Sequence, residues 1–413
     1  MRKIFLIEIL IFFALTETVA QNLLGISLED NQTSTQIPFK NESNLIIVPL
    51  QINGKGPYNF ILDSGSESSM IFDKWLIDST YFDTGLTVPI YDNEGEVITD
   101  LLVARGLSIS LPGLIGNNQS MLVFQEYNLD IRNALGVEAV GILGSELFNR
   151  FVVEVDYKHL LVTLHEPEQF NRPKRFKQVP IEIRGSRPFL NVTIDQKNAR
   201  STNATLLIDT GASSALFLDA QNNDDIVVPD KNINHTVGNG ITGTIKGKVG
   251  RIKRIKINKY TFKKVVTSFP ENWINQNKVI LGQEQGSRYG TIGSETLSRL
   301  HVYYDYLNKQ LFIKPSGTYR KKFEFNTIGF RIVSLGESFD EVYISEIIAG
   351  SPAEKMGFNV GDQILVINNK PVSAYSFSEI NGVLRAKPRT KSVLIIKRNG
   401  ELLEKVVKHK KLI

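Results

Sequence analysis

The chain has 413 residues, 42% of them hydrophobic and 22% charged, with a formal net charge of +5. At about 150 residues per domain this length predicts two to three folded units, and the ordinary composition excludes a long disordered protein. So mild a charge excludes the concentrated basic stripe of a nucleic-acid binder, and the absence of cysteine excludes disulfides, thiolate zinc sites and cysteine nucleophiles.

In chain order, residues 1–20 carry Arg2 and Lys3, an apolar run to about Leu15, and Thr18-Val19-Ala20. This predicts a signal peptide cleaved near Ala20 and an exported protein, periplasmic or secreted. An uncleaved N-terminal membrane anchor is the alternative, against which stand the shortness of the run and Glu8. Residues 21–44 read as a polar, loop-like extension, a segment whose proteolytic removal could serve as activation. A β-hairpin follows, Ile46 to Leu50 returning through Tyr58 to Leu62 around Asn53-Gly54. It runs directly into Asp63-Ser64-Gly65-Ser66. Gly106 to Leu111, Phe151 to Val155 and Leu160 to Leu164 read as further short strands, and residues 167–177, with two prolines and several basic residues, as a linker.

The middle of the chain then repeats. The seventeen residues from Gly141 align without gaps on those from Gly290 with eight identities, among them Gly144/Gly293, Ser145/Ser294, Glu146/Glu295, Arg150/Arg299 and Asp156/Asp305. At nearly the same offset, the apolar strand and triplet at Asp63 recur as Leu206-Leu207-Ile208 followed by Asp209-Thr210-Gly211-Ala212. Turn chemistry alone explains one such triplet. It does not explain an ionisable group kept beside a core strand in both halves, where desolvation is costly. Two carboxylates brought to a common axis cannot both ionise cheaply, so they share a proton and can act as general acid and base on a water. The hydroxyl of Ser66, absent at Ala212, predicts Asp63 as the more readily ionised member. No histidine falls at metal-ligand spacing, so no metal or other cofactor is expected.

These features resemble the retropepsin/pepsin-type aspartic peptidases, over about residues 45–316. The motifs carrying the resemblance are both Asp-Ser/Thr-Gly triplets, Ile142-Leu143-Gly144, and Thr291-Ile292-Gly293, which departs from the pattern at its first residue. The resemblance implies a mainly β fold of two duplicated lobes, 45–166 and 178–316, related by a pseudo-twofold axis. It implies catalytic Asp63 and Asp209, supported by the turn residues Ser64, Gly65, Ser66, Thr210, Gly211 and Ala212, with the Ser64 and Thr210 hydroxyls bonding the opposite lobe. It further implies a peptide or protein substrate, flap hairpins at Tyr91 and Gly240, and no dimer needed for catalysis.

After Pro315 the pattern changes to strand, strand, short helix, strand pair, helix and hairpin. Residues 324–408 resemble a PDZ domain, a small α/β module, through Thr327-Ile328-Gly329-Phe330, Gly350-Ser351-Pro352-Ala353 and Gly361-Asp362-Gln363-Ile364-Leu365. The resemblance implies that amides of Ile328, Gly329 and Phe330 receive a peptide carboxylate and that the adjacent strand edge accepts an extended peptide. Two rival readings remain at this point: a catalytically inactive scaffold acting through this module, and a serine hydrolase using Ser66 or Ser145.

Overall fold

A computed structural model describes residues 25–91, 96–125, 138–197, 200–240, 243–271, 288–336 and 341–413. The expected signal peptide lies outside the described residues, and no helix among them is long and apolar enough to cross a membrane. The molecule is mainly β. Two lobes share one continuous apolar core, and the C-terminal module has a separate core built on Ile328, Phe330, Ile344, Ile364, Leu394 and Ile396.

Each lobe centres on an apolar strand held between two neighbours. Lys55–Leu62 pairs with Leu45–Ile52 on one side and, in parallel, with Gly141–Leu143 on the other. Thr202–Asp209 pairs in the same way with Arg187–Asp195 and Gly290–Gly293. Strands flanked on both edges and covered on both faces carry the continuous apolar runs seen at Phe60-Ile61-Leu62 and Leu206-Leu207-Ile208, all buried. A long hairpin completes each lobe, Phe82–Tyr91 with Val97–Leu111 in the first and Asn232–Gly240 with Gly243–Ile257 in the second.

A six-stranded antiparallel sheet joins the lobes, with three strands from each. Val152–Asp156 and Leu300–Asp305 meet at its centre, in the register Val153 to Tyr304, Glu154 to Tyr303 and Val155 to Val302. Leu161–His165 and Ser34–Pro38 extend it on one side, Gln310–Pro315 and Lys177–Pro180 on the other. The loop-like reading of residues 21–44 is therefore corrected. Ser34–Pro38 is a paired strand, Ile37 and Phe39 are buried in the common core, and Gly25–Leu28 and Lys40–Glu42 also pair in the first lobe's sheet. Lys177–Pro180 is its counterpart, so the duplicated unit begins in both halves with a strand of the joining sheet. Short alternating strands flanked by Asn, Ser and Pro carry little periodic signal, which is why the first was read as loop.

In the C-terminal module the strands run Phe330–Leu335, Glu341–Ile347, Gln363–Ile367, Lys391–Arg398 and Glu401–Lys408 across one sheet, leaving Phe330–Leu335 at an edge. The helix Phe377–Leu384 starts on a capping box between Ser376 and Glu379. The chain reaches this module along the second lobe. Phe323 packs into the lobes' core, and the Arg299 guanidinium lies 3.7 Å from the centre of its ring while donating to Thr318 and Lys321 carbonyls.

Candidate active site

The two Asp turns face each other across the junction of the lobes and are bolted together by their hydroxyls. Ser64 Oγ donates to the carbonyl of Ile208 (2.8 Å) and accepts from the Thr210 N–H (3.1 Å). Thr210 Oγ1 donates to the carbonyl of Leu62 (2.7 Å) and accepts from the Ser64 N–H (2.9 Å). Both hydroxyl residues are completely buried, so all four bonds are made in a medium where an unmet partner is expensive. The glycines that follow make room for the opposite carboxylate. A methyl group on Gly65 would stand 2.7 Å from Asp209 Cγ, and one on Gly211 would stand 2.3 Å from Asp63 Cγ.

Asp63 and Asp209 share a side-chain hydrogen bond, keeping a sliver of open surface with protein packed around them elsewhere. Burial raises both carboxyls above the ordinary aspartate range; the Asp209 charge raises Asp63 further, while the hydrogen bond from Asp63 lowers Asp209. They are not equivalent. Both accept backbone N–H groups, Asp63 from Gly65 (2.7 Å) and Ser66 and Asp209 from Gly211 (2.8 Å) and Ala212 (2.9 Å), but the charge of Arg288 lowers Asp209, and Asp63 stands further above its ordinary value. The pair shares one proton, and the Arg288 charge favours ionisation on the Asp209 side.

The help expected from Ser66 is not given. Its hydroxyl donates to the carbonyl of Ser68 (2.8 Å) within its own turn, so it does nothing for the Asp63 carboxylate. The charges around the pair come from residues the sequence did not mark. Arg187, 4% exposed, pairs with Glu67 across the lobes at 3.2 Å and acts on both aspartates. Arg288 is pushed down to about 10 by burial and the neighbouring Arg187, against the pull of Asp209 and Asp219. Neither has a charged counterpart in the first lobe, where register places Leu45 and Ala139.

Beneath the turns lie the elements carrying the repeat identities. Asp63 donates its N–H to Leu143 (2.9 Å), and Thr291-Ile292-Gly293 runs beside Leu207 to Asp209, so the threonine is accommodated, buried, within a parallel strand pair. Ser145 Oγ donates to the Glu67 carbonyl and Ser294 Oγ to the Thr210 carbonyl. Glu146 accepts from both the N–H and hydroxyl of Ser69. The identities Ser145/Ser294 and Glu146/Glu295 were the available signal for this support. Neither Ser66 nor Ser145 meets a histidine: His165 and His301 lie on the joining sheet, His159 in a turn between two of its strands, His235 on the second hairpin and His409 in the C-terminal module.

Both hairpins are rooted on the strand that follows their Asp turn. Ile90 packs with Met70 and Phe72, and Gly238 lies against the ring of Phe217. Tyr91 pairs with Val97 and Gly240 with Gly243, while residues 92–95 and 241–242 lie outside the described residues. In the C-terminal module Ile328 and Phe330 are fully buried, and Gly329 takes φ +98° with Ser351 filling the place of a side chain. The amides of Ile328 and Gly329 donate to Asn326 Oδ1 (3.1 and 2.7 Å), an internal oxygen where the resemblance implied that of a peptide carboxylate.

Residues 48–147 match the aspartyl protease family and residues 343–398 the PDZ domain family. The chain thus combines an aspartyl protease-like segment with a C-terminal PDZ domain. Among curated proteins it is similar to the carboxy-terminal processing protease CtpA of Bacillus subtilis (strain 168), 28% identical over 33% of this chain and 34% of the relative. The chain therefore spans about a third of the length of that relative. Among solved structures, the aspartic proteinase from Irpex lacteus is 13% identical, with a TM-score of 0.43 over 70% of this chain and 99% of that one. The photosystem II D1 C-terminal processing protease is 21% identical, with a TM-score of 0.20 over 21% and 24%.

Proposed function

We propose that the protein is an exported aspartic endopeptidase. The observation carrying this reading is a pair of hydrogen-bonded carboxylates, Asp63 and Asp209, one from each half of a duplicated fold and held by reciprocal buried hydroxyl bonds. Ionised Asp209 takes a proton from the attacking water, and protonated Asp63 donates to the oxygen of the scissile carbonyl. Arg288 favours the charge on Asp209 before the reaction, so the pair is polarised in advance. No acyl-enzyme is required, and no hydroxyl near the pair has a histidine to activate it. The PDZ domain supplies a second place for an extended peptide or partner.

The test is cleavage of a peptide library across about pH 3 to 8 by the mature chain, beside Asp63→Asn and Asp209→Asn. Each substitution is expected to lower the rate by about 10³-fold or more. Cleavage surviving both substitutions would move the chemistry elsewhere, and a well-folded wild type that cleaves nothing would favour the scaffold reading.

A further inference from the structure

The strand Asn232–Gly240 is the outermost of its sheet, so its outward-facing N–H groups have no strand to pair with. One of them is met from another part of the chain. The Thr236 N–H donates to both carboxylate oxygens of Glu346, at 3.0 and 3.2 Å, and His235 Nδ1 lies 3.2 Å from the same group. Glu346 belongs to the PDZ domain, on Glu341–Ile347. The His235 side chain is only 9% exposed and receives the edge of the Phe325 ring, so the contact is enclosed. It falls where the hairpin's register shifts between Thr236 and Gly238, a bulge of the kind that sets the direction of a strand beyond it. Two residues further on, Gly238 rests on Phe217, which follows the Asp209 turn.

We propose that Glu346 is a positioning residue for the second-lobe hairpin, so that the PDZ domain sets how this hairpin stands beside the two aspartates. The inference rests on the peptidase reading above and names how that site is controlled. Glu346 is connected in turn to the domain's own peptide edge. It lies opposite Arg331 in register, with Arg331 Nη1 3.8 Å from its carboxylate, and Arg331 sits on the edge strand Phe330–Leu335. Burial alone would raise the Glu346 carboxyl, yet the His235 and Thr236 contacts bring it down to about 2, so it is held as a charged acceptor. A hairpin of a protease-like lobe is thereby fastened through a carboxylate to the neighbour of the strand on which a peptide would pair.

The experiment uses the full chain with Glu346→Ala and Glu346→Gln, read by amide hydrogen exchange over residues 232–240 and by peptide kinetics. In the alanine variant, exchange of the Thr236 segment is expected to quicken by about tenfold, the equivalent of one charge-assisted hydrogen bond. The kcat/KM is expected to fall by a similar factor, mainly through KM, while glutamine, which still accepts from Thr236, recovers part of both. A purely structural role would lower the unfolding temperature and leave KM of the folded enzyme unchanged. Exchange as slow as in the wild type overturns the proposal whether or not the chain cleaves peptides, as does faster exchange with unaltered kinetics. Failure of the peptidase reading looks different: wild type and Asp63→Asn alike leave peptides intact.

Discussion

The first and second lobes repeat the same strand order, save for Gly25–Leu28, which only the first carries, yet they surround their aspartates with different chemistry. Around Asp63 the second-lobe positions of Arg187 and Arg288 are taken by Leu45 and Ala139, both buried and uncharged. Around Asp209 stand two guanidiniums, Arg187 buried and bound to Glu67 of the opposite lobe and Arg288 half-buried. Symmetry brings the carboxylates together, and its local failure biases how they share the proton. A perfectly symmetric pair would also share one proton, but either carboxylate would serve equally as the base.

The comparison is broken most severely by filling the space between the lobes. Gly211→Ala and Gly65→Ala each drive a methyl group into the opposite carboxylate, and separation of the pair is expected to cost about 10²-fold or more in rate. The closer approach at Gly211 should make its variant the worse of the two; equal activities in steady-state assays would contradict the geometry. Ser64→Ala and Thr210→Ala test what the lobes share. Each strands a buried N–H and a buried carbonyl of the other lobe, so each should lower unfolding free energy by about 2–4 kcal/mol in denaturant titrations, with nearly equal effects.

Electrostatic variants sharpen the contrast. Arg288→Met removes a charge that lowers Asp209, so Asp209 rises and the acid limb of kcat/KM should move to higher pH by about one unit. An unmoved limb would remove Arg288 from the polarisation of the pair. On the joining sheet, burial raises Glu154, but hydrogen bonds from His165, His301 and Tyr303 outweigh it and hold the carboxyl down to about 2. A depressed carboxylate stabilises the fold above its ordinary value of 4.5 and loses that contribution as pH falls toward about 2. After allowance for solvent, wild type should exceed Glu154→Gln by about 1–2 kcal/mol at pH 6, the gap closing through that window. The smallest effect is expected from Ser66→Ala, whose acid limb should match the wild type because the hydroxyl serves Ser68.

What was legible in the sequence was what repeats. The duplicated triplets, the Ile142-Leu143-Gly144 element and its counterpart, and the apolar strands before each Asp mark the places where both halves obey the same packing rule. What departs from the repeat was hidden. Ser66 against Ala212 is a visible difference at the right place, but a hydroxyl's direction depends on the turn, and this one turns back on itself. Arg187 and Arg288 lie well apart along the chain from the Asp63 they help to polarise against, and only the fold brings them near. Ser34–Pro38 lacked the length to announce a strand and gained its place from Leu161–His165. Glu346 resembled any solvated strand residue until the second hairpin was seen to end its search for a hydrogen bond there.

The pairing of Glu154 with Tyr303 at the centre of the joining sheet has a consequence for how the halves choose each other. Equivalent residues flank that pair on either side, so the pseudo-twofold axis passes through it. Were two copies of the first half to associate by the same edge, Glu154 would face another Glu154, two like charges directly across a strand pair. The second half presents a tyrosine hydroxyl there instead, which the carboxylate accepts from. Halves separated by a cut in the connection between them would therefore recombine as unlike partners in preference to a first-half dimer, and the single residue on the axis would be the reason.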